Sequence, residues 1–258
     1  MIYLYLWIKL YRFNFINIVF LVMNRVLTVF LVCFSFLHIN SQEFNGKELL
    51  EKAISYHDPY SNWDTFNADF VVNMESPNRP KRKSKIKINL TSSIFRLEVH
   101  QNDNILISKL EDGKCYLEFN GKSDLTNEIK AKYNLDCKRA IYFSDYYTYL
   151  YGLPMKLKDP GTIVDPFVGE KKIGEKEFWI LKVTYDESVG KDTWYFLFDK
   201  KTFALKQYQF FHDELKNDGE YIVLEDELVV GGIKMPKNRS WFLNSNNKFL
   251  GIDRLSIN

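Results

Sequence analysis

Three aromatic-rich segments between residues 177 and 211 constrain the fold more than any other part of the chain. They cover residues 177–185, 193–198 and 203–211, and each has the length of a β-strand. Aromatic and β-branched residues favour strands, and Asp199 at the head of the last turn favours a hairpin. The first two segments are apolar on both alternating faces, which is typical of strands covered on both sides. We therefore expect helices and a lipophilic ligand to cover this sheet.

Alternating apolar residues extend the β pattern over most of the chain. They predict five antiparallel strands between residues 66 and 119 and further strands from residue 162 to 257, about eleven in total. Helical periodicity marks residues 45–57, 124–133 and 138–151. We therefore predict a mainly β, α+β fold: an incomplete antiparallel half-barrel with an N-terminal helix and a mid-chain helical lid.

The first 41 residues have the composition of a targeting segment. Residues 23–41 join a basic start to an apolar stretch, as in a secretory signal peptide. Met23 is the better start, so residues 1–22 are expected to be a superfluous extension and residues 42–258 a single domain. Cleavage near Ser41 and Gln42 would place the mature protein in the periplasm or cell envelope. The alternative is a membrane anchor, because residues 4–37 are long enough to span a bilayer.

Charge, cysteine content and the known sequence motifs limit which partners and cofactors we expect for this protein. Residues 42–258 carry 32 basic and 33 acidic residues, so nothing favours a nucleic-acid partner. Cys115 and Cys137 remain after export, and both a disulfide and two free buried thiols fit them. No Cys/His spacing suggests zinc, and no GxSxG, HExxH, phosphate-binding or dinucleotide motif occurs. The sequence therefore predicts no cofactor and no metal, and favours a non-enzymatic protein.

Two further segments carry a resemblance to a known family. The hairpin at residues 194–205 is similar to one that recurs in the outer-membrane lipoprotein-sorting carriers of the LolA/LolB type. Residues 146–157 resemble an uncharacterised family of secreted bacterial proteins with the same fold. The resemblance covers residues 42–258 and implies a half-barrel, lidded by helices, that holds acyl chains. It also implies a buried arginine that controls the lid, for which Arg96 and Arg139 are candidates by location.

The candidate ligand site combines a wall from the sheet with a lid from the second helical segment. The partners expected for it are a hydrophobic small molecule or acyl chain, with envelope lipoproteins or membrane components, bound by a monomer. Pockets of this kind are mainly apolar and aromatic. The wall candidates are Phe70, Val72, Met74, Leu97, Ile107, Leu117, Trp179, Trp194 and Phe196, and the lid candidates are Tyr146, Tyr147, Leu150, Tyr151, Leu153 and Met155.

Three functions remain open from the sequence. Ordinary core packing predicts the same residues as a cavity wall, so a filled barrel would instead be an interaction or scaffold module of the envelope. Carboxyl groups that meet only in the folded chain would allow a hydrolase. A continuous apolar cavity would favour the carrier.

Overall fold

The computed structural model describes residues 44–257. The expected extension, signal peptide and cleavage point therefore lie outside the described residues. Within residues 44–257, no helix combines the length and the apolar character needed to cross a bilayer.

The described residues form three α-helices and twelve β-strands. The helices are α1 (Gly46–His57), α2 (Asn127–Tyr133) and α3 (Cys137–Tyr151). The strands are β1 (Asn67–Glu75), β2 (Arg82–Asn89), β3 (Ile94–Gln101), β4 (Asn104–Glu111), β5 (Lys114–Phe119), β6 (Thr162–Ile173), β7 (Lys176–Tyr185), β8 (Thr193–Asp199), β9 (Leu205–Phe211), β10 (Glu220–Val230), β11 (Ile233–Leu243) and β12 (Phe249–Ser256). Short 3₁₀ helices span Asn62–Thr65, Met155–Lys158 and Glu214–Lys216.

All twelve strands belong to one open antiparallel sheet. Its order is β5-β4-β3-β2-β1-β12-β11-β10-β9-β8-β7-β6, so two meanders meet where β1 pairs with β12. The prediction of a mainly β, incomplete barrel with an N-terminal and a mid-chain helix is confirmed. The structure has twelve strands, and about eleven were predicted. The apolar run 229–235, expected to be a short strand, contains the Gly231–Gly232 turn that joins β10 to β11.

Helix α1 begins where the sequence predicts. The Asn45 side chain accepts a hydrogen bond from the Glu48 amide at 3.1 Å, and Glu48 accepts one from the Asn45 amide. This reciprocal pair satisfies two amides that the first turn of a helix leaves free. Leu49, Leu50 and Ala53 are buried on the face that α1 turns to the sheet.

One face of the sheet, called here the inner face, carries the core. Residues from α1 and from α3 belong to the same buried cluster as Phe70, Leu97 and Phe196, so both helices cover this face. The strands alternate strictly enough that residues two apart share a face. The inner face of β7 and β8 holds aromatic and aliphatic side chains, as the opening segments of the sequence predict.

Candidate ligand-binding cleft

A cleft of about 1360 Å³ lies between α3 and one end of the sheet. It is lined by the neighbouring ends of β1 and of β6 to β12, by the loop at residues 76–79 and by Lys248 just before β12. Small-molecule pockets typically measure about 300–1,000 Å³. The cleft is therefore large enough for a ligand longer than most metabolites.

The deepest wall of the cleft is a cluster of aromatic rings. The ring of Trp194 stacks on Phe210 at 4.8 Å between centroids and on Phe196 at 6.0 Å. Tyr149 of α3 meets Trp194 edge to face at 5.9 Å. These rings come from adjacent strands because the register pairs Trp194 with Phe210 across β8 and β9. The cluster offers an apolar surface that helix and sheet share.

Next to the cleft, the space beneath α3 is filled by side chains. Tyr151 packs on Phe70 at 4.8 Å between ring centroids, and Tyr147 stacks on Phe95 at 6.4 Å. Both tyrosines are almost fully buried, and burial raises the pKa of each phenol. One part of the interior is therefore a packed core, whereas the part beside Trp194 is open.

Helix α3 is held at both ends. Its first residue, Cys137, forms a disulfide with Cys115 of β5, and Asp136 caps the helix by accepting a hydrogen bond from the Arg139 amide at 2.8 Å. Near its other end, the Leu150 carbonyl accepts a hydrogen bond from Nη2 of Arg239 at 3.2 Å. The helix of 15 residues thus crosses the inner face from an edge strand to β11.

Arg239 is the buried arginine of the described residues. Its side chain is 1 % exposed, and its guanidinium lies 4.0 Å from the centre of the Tyr151 ring. Neither Arg96 nor Arg139, the two candidates chosen by location, is buried. Arg96 lies on the outer face and pairs with Glu98, and Arg139 is an exposed residue of α3. Arg239 escapes sequence reasoning because Asn238 and Ser240 beside it make that stretch look like a solvent-facing edge.

Comparison with known proteins gives a family. Residues 25–258 match the family described as "Family of unknown function (DUF6503)". The chain belongs to the DUF6503 family. No curated protein matches it.

Solved structures similar to this DUF6503 protein have low sequence identity to it. A LolA superfamily protein, NE2245 from Nitrosomonas europaea, is 10 % identical, with 82 % of this chain and 91 % of that chain covered and a TM-score of 0.46. A DUF1329 family protein from Desulfovibrio piger is also 10 % identical, with the same coverage and a TM-score of 0.44.

Two of the nine predicted wall residues of the DUF6503 protein line the cleft, namely Met74 and Trp194. Four others are packed in the adjoining core: Phe70, Val72, Leu97 and Phe196. Leu117 lies on the inner face at the β5 edge, opposite Ser108. Trp179 packs on Phe44 at the α1 end of the sheet, with a ring-centroid distance of 5.7 Å.

Ile107 requires a correction. The prediction that it shares a face with Leu97 and Leu117 is wrong, because the register pairs Ile107 with Glu98 and pairs Leu97 with Ser108. Ile107 therefore points to the outer face. Strand β4 is apolar at Leu106 and Leu110 as well, so its sequence fits either face, and a shift of one residue reverses every side chain.

The predicted lid residues divide between the cleft and the core. Tyr146 and Leu150 line the cleft, whereas Tyr147 and Tyr151 fill the space beneath the helix. Leu153 and Met155 follow α3 and are buried in the core. A hydrogen bond of 2.5 Å between the hydroxyl groups of Tyr149 and Tyr185 joins helix α3 to strand β7 of the sheet.

Sequence reasoning misses two carboxyl groups in the DUF6503 cleft, those of Glu220 and Asp253. Both lie at inward positions of their strands, so a charged residue in the apolar phase of the alternation is the signal that could have found them. Burial raises the pKa of each, although the charge of His212 opposes the shift at Glu220, and the charges of Arg239 and Arg82 oppose it at Asp253. Within residues 44–257, no three His, Cys, Asp or Glu side chains form a group suited to a metal ion.

Proposed function

We propose that this DUF6503 protein is an exported, non-enzymatic carrier that binds a hydrophobic ligand such as an acyl chain. The observation that carries the proposal is the aromatic cleft of about 1360 Å³ beside a helix that covers an open sheet. Burying a chain in such a site contributes about 0.8 kcal/mol per CH₂ group. Several methylene groups therefore suffice for useful affinity.

The construction of the lid supports uptake and release. Helix α3 is fixed at Cys137 and through Leu150, while the hydroxyl pair of Tyr149 and Tyr185 lies at the cleft. A ligand that enters beside Trp194 displaces the tyrosine side chains without unfolding the helix. Release would require the same local movement. Envelope lipoproteins or membrane components would be the donors and acceptors of the ligand.

The disulfide supports export. Cys115 and Cys137 are joined in the structure, and disulfides persist in oxidising compartments such as the periplasm. This agrees with the signal-like sequence at residues 23–41. We therefore place the mature protein in the periplasm or cell envelope as a monomer.

The scaffold alternative rests on a filled interior. The space around Tyr147 and Tyr151 is filled, but the space beside Trp194 is not, and this difference favours the carrier. The direct test is native mass spectrometry of the protein purified from its host, followed by lipid extraction. A protein that carries no lipid and binds no apolar probe would overturn the proposal.

A substitution that fills the cleft tests the location of the site. Thr148 lines the cleft from α3, so Thr148→Trp should weaken binding of the uncharged fluorescent probe N-phenyl-1-naphthylamine, because the indole and the probe compete for the same space. We expect a loss of about tenfold, which corresponds to about 1.4 kcal/mol. Ile141→Trp is the matched control, because Ile141 lies two turns away on the same helix and is exposed. Equal binding by a folded Thr148→Trp protein would place the ligand elsewhere.

A further inference from the structure

Several buried polar atoms between helix α3 and the sheet lack a partner. Within residues 44–257, Nε of Arg239 and the hydroxyl groups of Tyr151 and Tyr208 form no hydrogen bond. Nε of Arg82 and the hydroxyl group of Ser84 share this condition. Buried polar groups are almost always hydrogen-bonded, because leaving one unpaired out of water is costly. All five can donate a hydrogen, so an acceptor would satisfy them.

Three of these atoms adjoin one another around Arg239. The guanidinium of Arg239 lies 4.0 Å from the centre of the Tyr151 ring. Burial raises the pKa of the Tyr208 phenol, and the charge of Arg239 opposes this shift, so the Tyr208 hydroxyl lies close to that guanidinium. Nη1 and Nη2 of Arg239 each donate to a backbone carbonyl, whereas Nε donates to no described residue. We call Arg239, Tyr151 and Tyr208 the buried donor group.

One layer of side chains separates the buried donor group from the cleft. Leu150 and Trp241 line the cleft, and Arg239 donates to the Leu150 carbonyl at 3.2 Å. Trp241 lies two residues along β11 from Arg239 and therefore shares its face of the sheet. The ring of Tyr208 lies 6.4 Å from that of Trp241. A group that passes between helix α3 and Trp241 would therefore reach the donors.

The charge around the buried donor group is positive. One row of the sheet runs from Arg239 through Asp253 and Met74 to Arg82. Burial raises the pKa of Asp253, and the charges of both arginines oppose that shift. Because two guanidinium groups accompany the Asp253 carboxyl group in this row, the row stays positive whether or not Asp253 is ionised. Glu220, the other acid of the inner face at the cleft, lies four residues along β10 from the residue opposite Arg239, roughly 13 Å away.

We propose that the ligand of the cleft is an apolar chain with an anionic oxygen head group, which accepts hydrogen bonds from Nε of Arg239 and from the Tyr151 and Tyr208 hydroxyl groups. The inference rests on the proposed function, because the apolar chain would lie in the same cleft. Burial raises the pKa of both phenols, so they keep their hydrogens at neutral pH and can donate. Carboxylate and phosphate head groups share this chemistry, and hydrogen bonds to such charged acceptors are stronger than those to neutral ones.

Displacement of N-phenyl-1-naphthylamine by four ligands with the same twelve-carbon chain tests the nature of the head group. They are dodecanoate, dodecyl phosphate, dodecanol and dodecylammonium, each used below its micelle or solubility limit at about pH 7.5 with the protein expressed from the full chain. Dodecanoate or dodecyl phosphate should bind about tenfold more tightly than dodecanol, because a charged acceptor forms stronger hydrogen bonds than a hydroxyl group. The tighter of the two anions identifies the source of the head group.

The other orders of affinity overturn the inference in distinguishable ways. Equal binding of all four ligands would leave the proposed function intact and remove the head-group preference. Tightest binding of dodecanol or of dodecylammonium would also leave the proposed function intact, but it would show that the head group is not an anion. Failure of all four ligands and of the probe to bind would remove the proposed function as well.

The variant Tyr208→Phe tests the location of the head group, because it removes a hydroxyl without a described partner and keeps the buried ring. Without ligand, the variant should be at least as stable to urea as the wild type. Its affinity for the preferred anion should fall about tenfold, while its affinity for the uncharged probe stays the same. Tyr56→Phe is the matched control. The Tyr56 hydroxyl lies outside the cleft and donates to Glu227 at 2.8 Å, so this variant should lose stability and keep its affinity.

The variant Asp253→Asn should have the opposite effect on binding. It removes a negative charge beside Arg239, so the preferred anion should bind about threefold more tightly or better. Weaker or unchanged anion binding by the folded variant would place the head group away from Arg239. Unchanged anion binding by Tyr208→Phe would overturn the assignment as well, and a loss of stability in that variant would then show that buried water satisfies the hydroxyl group.

Discussion

His57 shows how two hydrogen bonds fix the protonation state of a buried residue. Its Nδ1 donates to the Lys234 carbonyl at 2.6 Å, and its Nε2 accepts from the Leu205 amide at 2.9 Å. A carbonyl can only accept and an amide N–H can only donate, so the neutral imidazole with hydrogen on Nδ1 satisfies both. His57 thereby joins α1 to β9 and β11.

This arrangement makes stability depend on pH. Burial lowers the pKa of His57 below 6.5, and the nearby charges of Lys206 and Lys234 lower it as well. The hydrogen bond to the Lys234 carbonyl and the charge of Glu227 oppose this shift. Below pH 6.5 the unfolded chain binds a proton that the folded chain excludes. The contribution of His57 to stability is therefore complete above pH 6.5. As the pH falls below 6.5, the free energy of unfolding should decrease by at most about 1.4 kcal/mol per pH unit for this one proton.

Urea unfolding of the wild type and of His57→Gln between pH 5 and 7.5 measures this contribution. The variant should be less stable at neutral pH. Its free energy of unfolding should also depend less steeply on pH, because the contribution of one proton is removed. His212→Gln serves as a control of opposite sign, because the hydrogen bond to Asp192 raises the pKa of the exposed His212. An unchanged slope in His57→Gln would show that His57 binds its proton equally well in the folded and the unfolded chain.

The Cys115–Cys137 disulfide attaches the first residue of α3 to strand β5. The bond closes a segment with a sequence separation of 22 residues, which contains α2, a helix with no buried residues. Closing such a loop stabilises a fold by about 3 kcal/mol in the chain-entropy account. We expect the double variant Cys115→Ser, Cys137→Ser to be less stable by about that amount.

Hydrogen exchange would show where the loss occurs. Amides of α2 and of the first turns of α3 should exchange faster in the double variant, whereas those near Leu150 should change less because Arg239 still holds that carbonyl. Added reductant should reproduce the change in the wild type and have no effect on the double variant. Unaltered exchange at residues 127–143 would mean that packing alone positions the helix.

The elements of this fold are readable from the sequence because their patterns are local. The cap at Asn45 and the aromatic strands β7 to β9 follow from spacing alone. The face to which a side chain points depends less on local sequence. Strand β4 is apolar in both phases, so only its pairing with β3 places Ile107 outside. The cleft depends on non-local pairing too, since Trp194, Glu220 and Asp253 come from three strands whose ends meet only in the sheet.

At the scale of the whole molecule, the inner face has a packed part and an open part. Strands β1 to β3 support a packed core under Tyr147 and Tyr151, while the ends of β6 to β12 border the cleft. The two parts are joined where β1 pairs with β12, at the middle of the sheet. The packed part can hold the fold rigid while the open part changes its contents. A ligand should therefore alter local motions on one side only.

Hydrogen exchange with and without saturating N-phenyl-1-naphthylamine tests this division. At short labelling times, when local opening governs exchange, protection should rise in the second half of α3, in the loop at residues 186–192 and in the first half of β12, which border the cleft. Exchange in β2 to β4 should stay the same, because their inner side chains are already buried by Tyr147 and its neighbours. Thr148→Trp, which places an indole in the cleft, should reduce the ligand-dependent protection at a ligand concentration that only just saturates the wild type. Equal protection across residues 82–111 would mean that the ligand enters the packed part instead, and the division between the two parts would then be wrong.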